Sequence, residues 1–472
     1  MKIKIIIAIL LISLGACKKN FLELPSQTSL STPVFFKSQS DFQQAINGAY
    51  APLRALYSGN NGAWVMGELR SDNTAYKFNP NDRGQAQPEF IKDFTDDANN
   101  PVSANKYFTN YTIIARVNQV LAPIDGVDFD ATVKNNIKGQ AYFLRAFAYF
   151  DLVQYFGKVP LHLKPANSLA ETALPLTSVD SIYLQIIADA KLAATLLPNK
   201  ATQEAGRATS GAAKTLLGNV YIVLKRWAEA ETTFKEVTGY SLLADYNAIY
   251  NPAQKNHAES IFEIQYKEGT EGFASNFFYT FLVQPISSAE ITAVTGIPEV
   301  PRTIEGYNIP TPDIIAAYEA NDKRKDASIA YITASAVSYP YIKKYSHAHA
   351  LTNNTNDNWP VYRYAEVLLF LAEALNEQNK TAEALTNLNL VRTRAGLPNS
   401  VAAGQVAIRD AILKERRVEL AFENKRYLDL VRSGTAEAVL LAFGAQVKAN
   451  PQAYYFPVGI APAAAAYTTI RL

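Results

Sequence analysis

The sequence predicts a mostly α-helical protein, in which a tetratricopeptide-like helical repeat scaffold of about four helix pairs packs against an irregular, loop-rich half with a few short strands. Three observations lead to this fold class. Residues 359–434 contain paired amphipathic helices, residues 210–237 match the tetratricopeptide register, and residues 240–358 lose helical periodicity. We therefore expect the repeat helices at about 106–240 and 359–434, and the irregular half at about 57–105 and 240–358.

Two helices in the stretch 359–434 are separated by a polar turn at 377–380. Gly396 tolerates a left-handed residue after the second helix, and Pro398 cannot continue it, so the helix is expected to end there. The charged residues of this hairpin have spacings that favour ion pairs between helices over catalysis. The apolar side chains that recur at helical spacing are Ala365, Leu368, Leu369, Ala372, Leu375, Leu385, Leu388, Val391 and Ala395.

The tetratricopeptide register occurs at two clear places in the chain. The first is at 210–237, and the second is in the hairpin, from 371 to 388. A third unit is expected to begin at Ala146 and to take 178–196 as its partner, and a fourth is expected from 407–421 with 425–431. About three such units are needed for a stable solenoid. The residues that carry the clearest match are Leu217, Gly218, Tyr221, Ala230 and Phe234.

The N-terminus has the features of a bacterial lipoprotein signal. A positively charged start precedes an apolar segment at 5–14, which is too short for an ordinary transmembrane helix. Small residues come directly before Cys17, the single cysteine, and resemble a lipobox. We therefore expect 1–17 to be a signal peptide ending at a lipidated Cys17, 18–31 to be a flexible tether, and 32–472 to be one domain.

Composition and motifs argue against nucleic-acid binding and against catalysis. The formal net charge of the 472-residue chain is +2, without a basic stripe. His347 and His349 lack neighbouring ligands to complete a metal site, and the aspartates at 125–130 lack the distal glutamate of a calcium loop. The sequence has neither a phosphate-binding Gly-Lys-Ser/Thr loop nor a Gly-x-Ser-x-Gly elbow. It therefore predicts a non-enzymatic protein without a metal or cofactor.

Ligand-binding residues are expected on the irregular loops, because long loops on a rigid scaffold often carry binding residues. Aromatic side chains on polar loops are costly to expose unless a ligand covers them. Sugars present C–H faces to such rings and hydroxyls to Asn, Asp and Arg. The candidates are Trp64, Asp72, Asn73, Tyr76, Phe78 and Asn79 in the first loop region, and Asn276, Phe278, Tyr279, Arg302 and Tyr307 in the second.

Blocks spread over the whole chain resemble the SusD/RagB family of outer-membrane nutrient-binding lipoproteins. The most specific is the C-terminal one, which reads Glu-Arg-Arg-Val-Glu-Leu-Ala-Phe-Glu at 415–423 and Arg-Tyr-Leu-Asp-Leu at 426–430. The other blocks are Cys17 with 21–23, then 45–50, 68–73, 143–146, 155–160, 363–369, 392–397 and Arg432.

The resemblance implies a helical-repeat protein with a ligand-binding half, anchored to the outer membrane by its lipid and facing the cell exterior. It also implies a SusC-like TonB-dependent transporter as the partner, to which the captured ligand is passed. We therefore expect a non-catalytic surface receptor for oligosaccharide. Two alternatives are open at this point: the same scaffold binding peptides, or a repeat scaffold that docks another protein and has no role in import.

Overall fold

The structure is a computed structural model that describes residues 35–59, 61–80, 86–166, 168–301 and 304–457. The signal segment, Cys17, the tether and Arg302 lie outside these ranges, so the expectations for them stay predictions. Within the ranges, none of the helices has both the length and the apolar character required to cross a bilayer.

Helices dominate the described chain and strands are short, as the sequence predicts. The helices are α1 (Gln39–Tyr57), α2 (Gln87–Lys92), α3 (Pro101–Leu121), α4 (Ala131–Phe156), α5 (Leu169–Thr172), α6 (Val179–Leu196), α7 (Ser210–Val223), α8 (Trp227–Lys235), α9 (Phe277–Thr280), α10 (Ser288–Thr295), α11 (Pro312–Ala317), α12 (Arg324–Ser328), α13 (Tyr364–Glu377), α14 (Thr381–Arg394), α15 (Gln405–Glu419), α16 (Arg426–Ser433) and α17 (Ala436–Ala449). The strands are β1 (Thr74–Ala75), β2 (Val159–Pro160), β3 (Leu176–Thr177), β4 (Ser260–Ile264), β5 (Ile309–Pro310), β6 (Ile329–Ala334), β7 (Val337–Ile342) and β8 (Trp359–Arg363).

The repeat helices form one continuous stack. Helix α1 packs on α3, and the succession continues through α4, α6, α7 and α8 to α13, which contacts both α14 and α15. A Cβ atom on Gly218 of α7 would lie 2.5 Å from the ring of Phe234 on α8, so glycine is required for this close approach. Between α4 and α6, the guanidinium of Arg145 donates two hydrogen bonds to Asp189, at 2.7 and 2.8 Å. The predicted repeat scaffold is confirmed.

Helix α16, predicted at 425–431 as the partner of α15, has a further role. Arg416 of α15 contacts Asp429 of α16 at 3.1 Å. However, α16 packs mainly against α17 and against a π-helical turn at Val65–Leu69. Because that turn belongs to the N-terminal loop region, the C-terminal block fastens the repeat scaffold to the irregular half.

The irregular half is held by two-stranded antiparallel pairings. In the described chain β1 pairs with β5, β2 with β3, β4 with β8, and β6 with β7. The partner of strand β4 is β8, which leads directly into α13. Pairing of Thr74 with Pro310 joins the first loop region to the second. The two loop regions thus meet, although more than 200 residues separate them along the chain.

A buried cluster of charges, here called the ionic junction, connects the repeat helices to the irregular half. Arg363 contacts Glu259 at 2.9 Å and Glu423 at 2.8 Å, and both Arg363 and Arg394 bond to Glu419. Burial alone would raise the pKa of Glu423, but Arg363 and Lys344 outweigh it and lower that pKa to about 2. The hairpin charges therefore form structural ion pairs, as predicted. The members are Glu259, Arg324, Arg363, Arg394, Glu415, Glu419 and Glu423.

Candidate binding cleft

Trp64, the first candidate aromatic residue, lies in the core. Its side chain has 0 % exposure, its Nε1 donates a hydrogen bond to the carbonyl of Gly59 at 3.1 Å, and its ring meets Phe281 edge-on at 5.0 Å. The expectation that this aromatic is exposed on a polar loop is wrong, because the loop folds back and places the indole against the second loop region. Trp64 thereby supports the neighbouring ring of Tyr307, whose centroid is 6.4 Å away.

Asp72 and Asn73 connect the first loop region to the C-terminal block. Arg426 donates two hydrogen bonds to the Asp72 carboxylate, at 2.7 and 2.9 Å, and Arg417 lies 2.8 Å from the same group. Arg417 also donates to Asn73 Oδ1 at 2.8 Å. Burial would raise the pKa of Asp72, but the guanidinium of Arg426 lowers it. These two side chains are buried and paired within the protein.

Tyr76 and Phe78 pack against the end of the described chain. The Tyr76 hydroxyl donates to Asp93 at 2.7 Å, and its ring meets Phe456 edge-on at 5.5 Å. Phe78 stacks on the same Phe456 ring at 5.9 Å and is half-buried. Tyr76 is buried, so Phe78 is the more accessible of the two.

The 276–279 segment is also buried. Asn276 accepts a hydrogen bond from the backbone of Gly59 at 2.9 Å, and Phe278 is fully buried. The Tyr279 hydroxyl lies 2.6 Å from Nε2 of His349, whose Nδ1 is bonded to a carbonyl, so the tyrosine is the donor. Burial raises the pKa of Tyr279. This segment holds the two loop regions together.

Asn79 and Tyr307, one from each candidate set, line a common cleft with a volume of about 220 Å³. The backbone of Lys77 donates to Gly306 at 2.8 Å, which fixes one wall against the other. The Lys77 ammonium donates to the carbonyl of Gln284 at 2.7 Å, and burial lowers its pKa. This candidate site is called the binding cleft below; it is lined by Lys77, Asn79, Glu89, Gln284, Ile304, Glu305 and Tyr307.

Three tyrosines near the cleft, here called the tyrosine rim, are absent from the candidate set. The ammonium of Lys77 lies 5.8 Å from the ring centroid of Tyr339, and that ring is 5.9 Å from Tyr455. Tyr331, on the paired strand β6, lies opposite Pro340 and is 58 % exposed. The Tyr-Pro-Tyr sequence at 339–341 is the sequence signal for a strand that carries two rings on one face.

The cleft and rim combine hydrogen-bonding groups with aromatic surface. Amides, carboxylates, an ammonium and a phenol surround the cleft, and the rim supplies rings beside them. Such a site can hold a polar ligand by hydrogen bonds while a ring packs on its less polar face. In the described ranges, we find no group of three or more His, Cys, Asp or Glu side chains that could hold a metal ion.

Comparisons with known proteins agree with this architecture. A family model described as "Starch-binding associating with outer membrane" matches residues 20–222, and one described as "SusD family" matches 318–469. SusD-like protein P2 of Formosa agariphila is 28 % identical over 91 % of this chain and 90 % of its own length.

Two solved structures extend the likeness to three dimensions. A laminarin binding SusD-like protein has a TM-score of 0.75 and 25 % identity, covering 90 % of this chain and 100 % of that one. Surface glycan-binding protein A from Bacteroides thetaiotaomicron in complex with laminarihexaose has a TM-score of 0.72 and 22 % identity, covering 85 % and 91 %. The protein described here belongs to the SusD/RagB family.

Proposed function

We propose that this protein is a non-catalytic surface nutrient-binding lipoprotein that captures an oligosaccharide in the binding cleft and delivers it to a SusC-like TonB-dependent transporter. The observation that carries the proposal is the polar cleft that continues into the tyrosine rim. Membership of a family described as starch-binding and associated with the outer membrane supports it.

The chemistry of the cleft favours a sugar over a peptide. Hydroxyl groups both donate and accept, and the side chains of Asn79, Glu305 and Lys77 bring both donors and acceptors to the walls of one small volume. The C–H face of a sugar ring can pack on Tyr331, which is exposed. Laminarin and laminarihexaose in the names of two structural relatives support a β-glucan as the first ligand to test.

The size of the cleft indicates that the ligand extends beyond it. At about 220 Å³ it is smaller than the roughly 300–1,000 Å³ typical of sites that enclose a whole small molecule. Part of the oligosaccharide therefore lies in the cleft against Tyr307, and the next sugars pass over Tyr339 and Tyr331. In this arrangement Asp72, Asn73 and the 276–279 segment position the cleft walls.

Transport and anchoring are further parts of the proposal. A lipidated Cys17 and a tether at 18–31 would hold the domain at the outer membrane and leave it free to approach a transporter. Deletion of the gene for an adjacent SusC-like barrel should abolish uptake of the bound glycan but leave surface binding intact. A Cys17→Ala form should disappear from the outer-membrane fraction, and retention there would contradict the anchor.

Isothermal titration of the full chain in mild detergent tests the substrate class. Laminari-oligosaccharides, malto-oligosaccharides and peptides are compared, and the sugars are checked for cleavage after incubation. We expect glycan binding without hydrolysis, weakened by Asn79→Ala. The control is Asn450→Ala, at an exposed asparagine after α17. Binding of peptides alone, or release of shorter sugars, would contradict the proposal.

A further inference from the structure

A second and larger cavity lies away from the binding cleft, between α1 and β4. Its volume is about 380 Å³, and a turn at 204–207 and the ring of Phe273 complete its walls. The floor is apolar, with Leu53, Phe262 and Ile264. We call this the α1 cavity; none of the residues expected from the sequence to bind ligand lines it.

Arg54 is the distinctive residue of this cavity. It is half-buried, and its guanidinium lies over the Phe273 ring, 4.6 Å from the centroid. Its backbone carbonyl accepts a hydrogen bond from Tyr266, but within the described chain its guanidinium has no carboxylate partner. In contrast, Arg207 in the same cavity contacts Glu204 at 3.3 Å and Asn47 at 2.5 Å.

The two carboxylates of the cavity already have hydrogen-bonding partners other than Arg54. Glu204 pairs with Arg207, and Glu263 accepts hydrogen bonds from the backbone of Asn256 at 3.0 Å and from Asn358 at 2.6 Å. Among the described residues that line the cavity, Arg54 is therefore the cation without a carboxylate partner, since Arg207 is paired with Glu204 and the Glu263 oxygens are held by neutral donors. A cationic group in a half-buried site attracts an anion more strongly than one in open water, because screening is weaker there.

The ring of Phe273 complements Arg54. It is 42 % exposed, although a large aromatic side chain usually gains by burial. A guanidinium held over a ring loses part of its freedom while its N–H groups stay available, which prepares it to bind an oxyanion through two parallel hydrogen bonds. The pair thus offers an oxyanion contact and an aromatic surface in the same cavity.

We propose that the α1 cavity is a second saccharide site that binds a negatively charged sugar through Arg54, with the ring of that sugar against Phe273. The shared chemistry is an oxyanion on a sugar, which is either a uronate carboxylate or a sulfate ester. The claim that the ligand is a saccharide rests on the proposed function. The claim that it is negatively charged rests on the guanidinium of Arg54, which has no carboxylate partner among the described residues.

Titration of the full chain in mild detergent tests the site with three probes: oligogalacturonides, sulfated galacto-oligosaccharides and neutral laminari-oligosaccharides. Binding of at least one anionic probe is expected, and the probe that binds identifies the source of the oxyanion. Arg54→Gln should weaken this binding about tenfold or more, because a charge-assisted hydrogen bond is lost. Phe273→Ala should weaken it as well, and added NaCl should reduce it in the unaltered protein.

The matched control is Arg226→Gln, which removes the same charge from an exposed pair with Glu229. It should leave binding of the anionic probe unchanged. Equal loss in both variants, equal affinity of Arg54→Gln and the unaltered protein, or no binding of either anionic probe would overturn the second site.

The proposals for the two sites can be contradicted independently of each other. Tyr331→Ala should weaken the neutral probe alone, and Arg54→Gln the anionic probe alone. Neutral binding without anionic binding overturns the α1 cavity and leaves the cleft. Anionic binding that needs Arg54, without any neutral binding, supports the α1 cavity and contradicts the proposed cleft.

Discussion

The ionic junction and the binding cleft are both polar, but their side chains differ in how far they are exposed. In the junction, Arg363 and Glu419 are almost fully buried and bonded to other side chains of the protein. In the cleft, Asn79 is exposed at the edge of an open volume. Charge alone therefore does not locate the candidate ligand site in this fold. The most charged blocks hold the two halves together, and the less charged loops surround the cleft.

The largest effect is expected at the centre of the junction. Glu419→Gln removes a negative charge that Arg324, Arg363 and Arg394 share, and it leaves those cations buried. Breaking a buried ion pair costs about 3–5 kcal/mol, so the free energy of unfolding measured by urea titration should fall by that amount. The control is Glu229→Gln in an exposed pair, which should change it by less than about 1 kcal/mol. A similarly small change for Glu419→Gln would contradict the claim that the ionic junction stabilises the fold.

Acid should reduce the stabilising effect of the junction more than that of an exposed pair. The pKa of Glu423 is about 2 in the folded protein and 4.5 for an ordinary glutamate. Because the folded pKa is lowered, its contribution to stability is present above about pH 5 and is lost as the pH falls towards 2. Unfolding by urea at a series of pH values should show this decline.

Glu423→Gln should flatten part of this pH dependence, whereas Glu437→Gln, at an exposed position on α17, should not. Identical slopes for the two variants and the unaltered protein would contradict the assignment to Glu423.

A substitution at the contact between two repeat helices should have an effect of intermediate size on stability. Gly218→Ala places a Cβ atom 2.5 Å from Phe234 and forces α7 away from α8. We expect a loss of about 1–3 kcal/mol in the free energy of unfolding, which is typical of overpacking. Gly126→Ala is the matched control, because a Cβ atom there meets no atom within 4 Å. A neutral Gly218→Ala would show that the two helices can separate without cost.

The smallest effects distinguish Trp64, which supports the wall of the cleft, from Tyr331, which is proposed to contact the ligand. Trp64→Phe removes the hydrogen bond to Gly59 and part of a buried ring, so it should lower the melting temperature while the variant still binds oligosaccharide. Tyr331→Ala should leave the melting temperature unchanged and weaken affinity by about 0.5–1.5 kcal/mol, which is roughly twofold to tenfold. Phe108→Ala, at an aromatic on α3 that is 66 % exposed, is the control for Tyr331→Ala. The reverse assignment of the two effects would place the ligand on Trp64.

The repeat scaffold could be predicted because its periodicity is local. Gly218 and Phe234 lie in one short stretch, and their spacing reflects the contact between α7 and α8 directly. The charged C-terminal block was correctly interpreted as structural, since its residues stand at helical spacing.

The cleft could be predicted only in part, because it is formed by residues that are distant in sequence. Pairing of β1 with β5 brings Asn79 and Tyr307 together, and no local pattern specifies that pairing. The same contact buries Trp64 between the two loops, so an aromatic in a polar loop was mistaken for an exposed one. Tyr331 was missed because its exposure depends on which face of the β6–β7 pair is covered.

A structure of the protein with a bound laminari-oligosaccharide tests the central claim most directly. We predict that the ligand lies in the binding cleft, hydrogen-bonded to Asn79 or Glu305, with the following sugars against Tyr339 and Tyr331. A ligand bound on the repeat helices, with the cleft empty, would contradict the account.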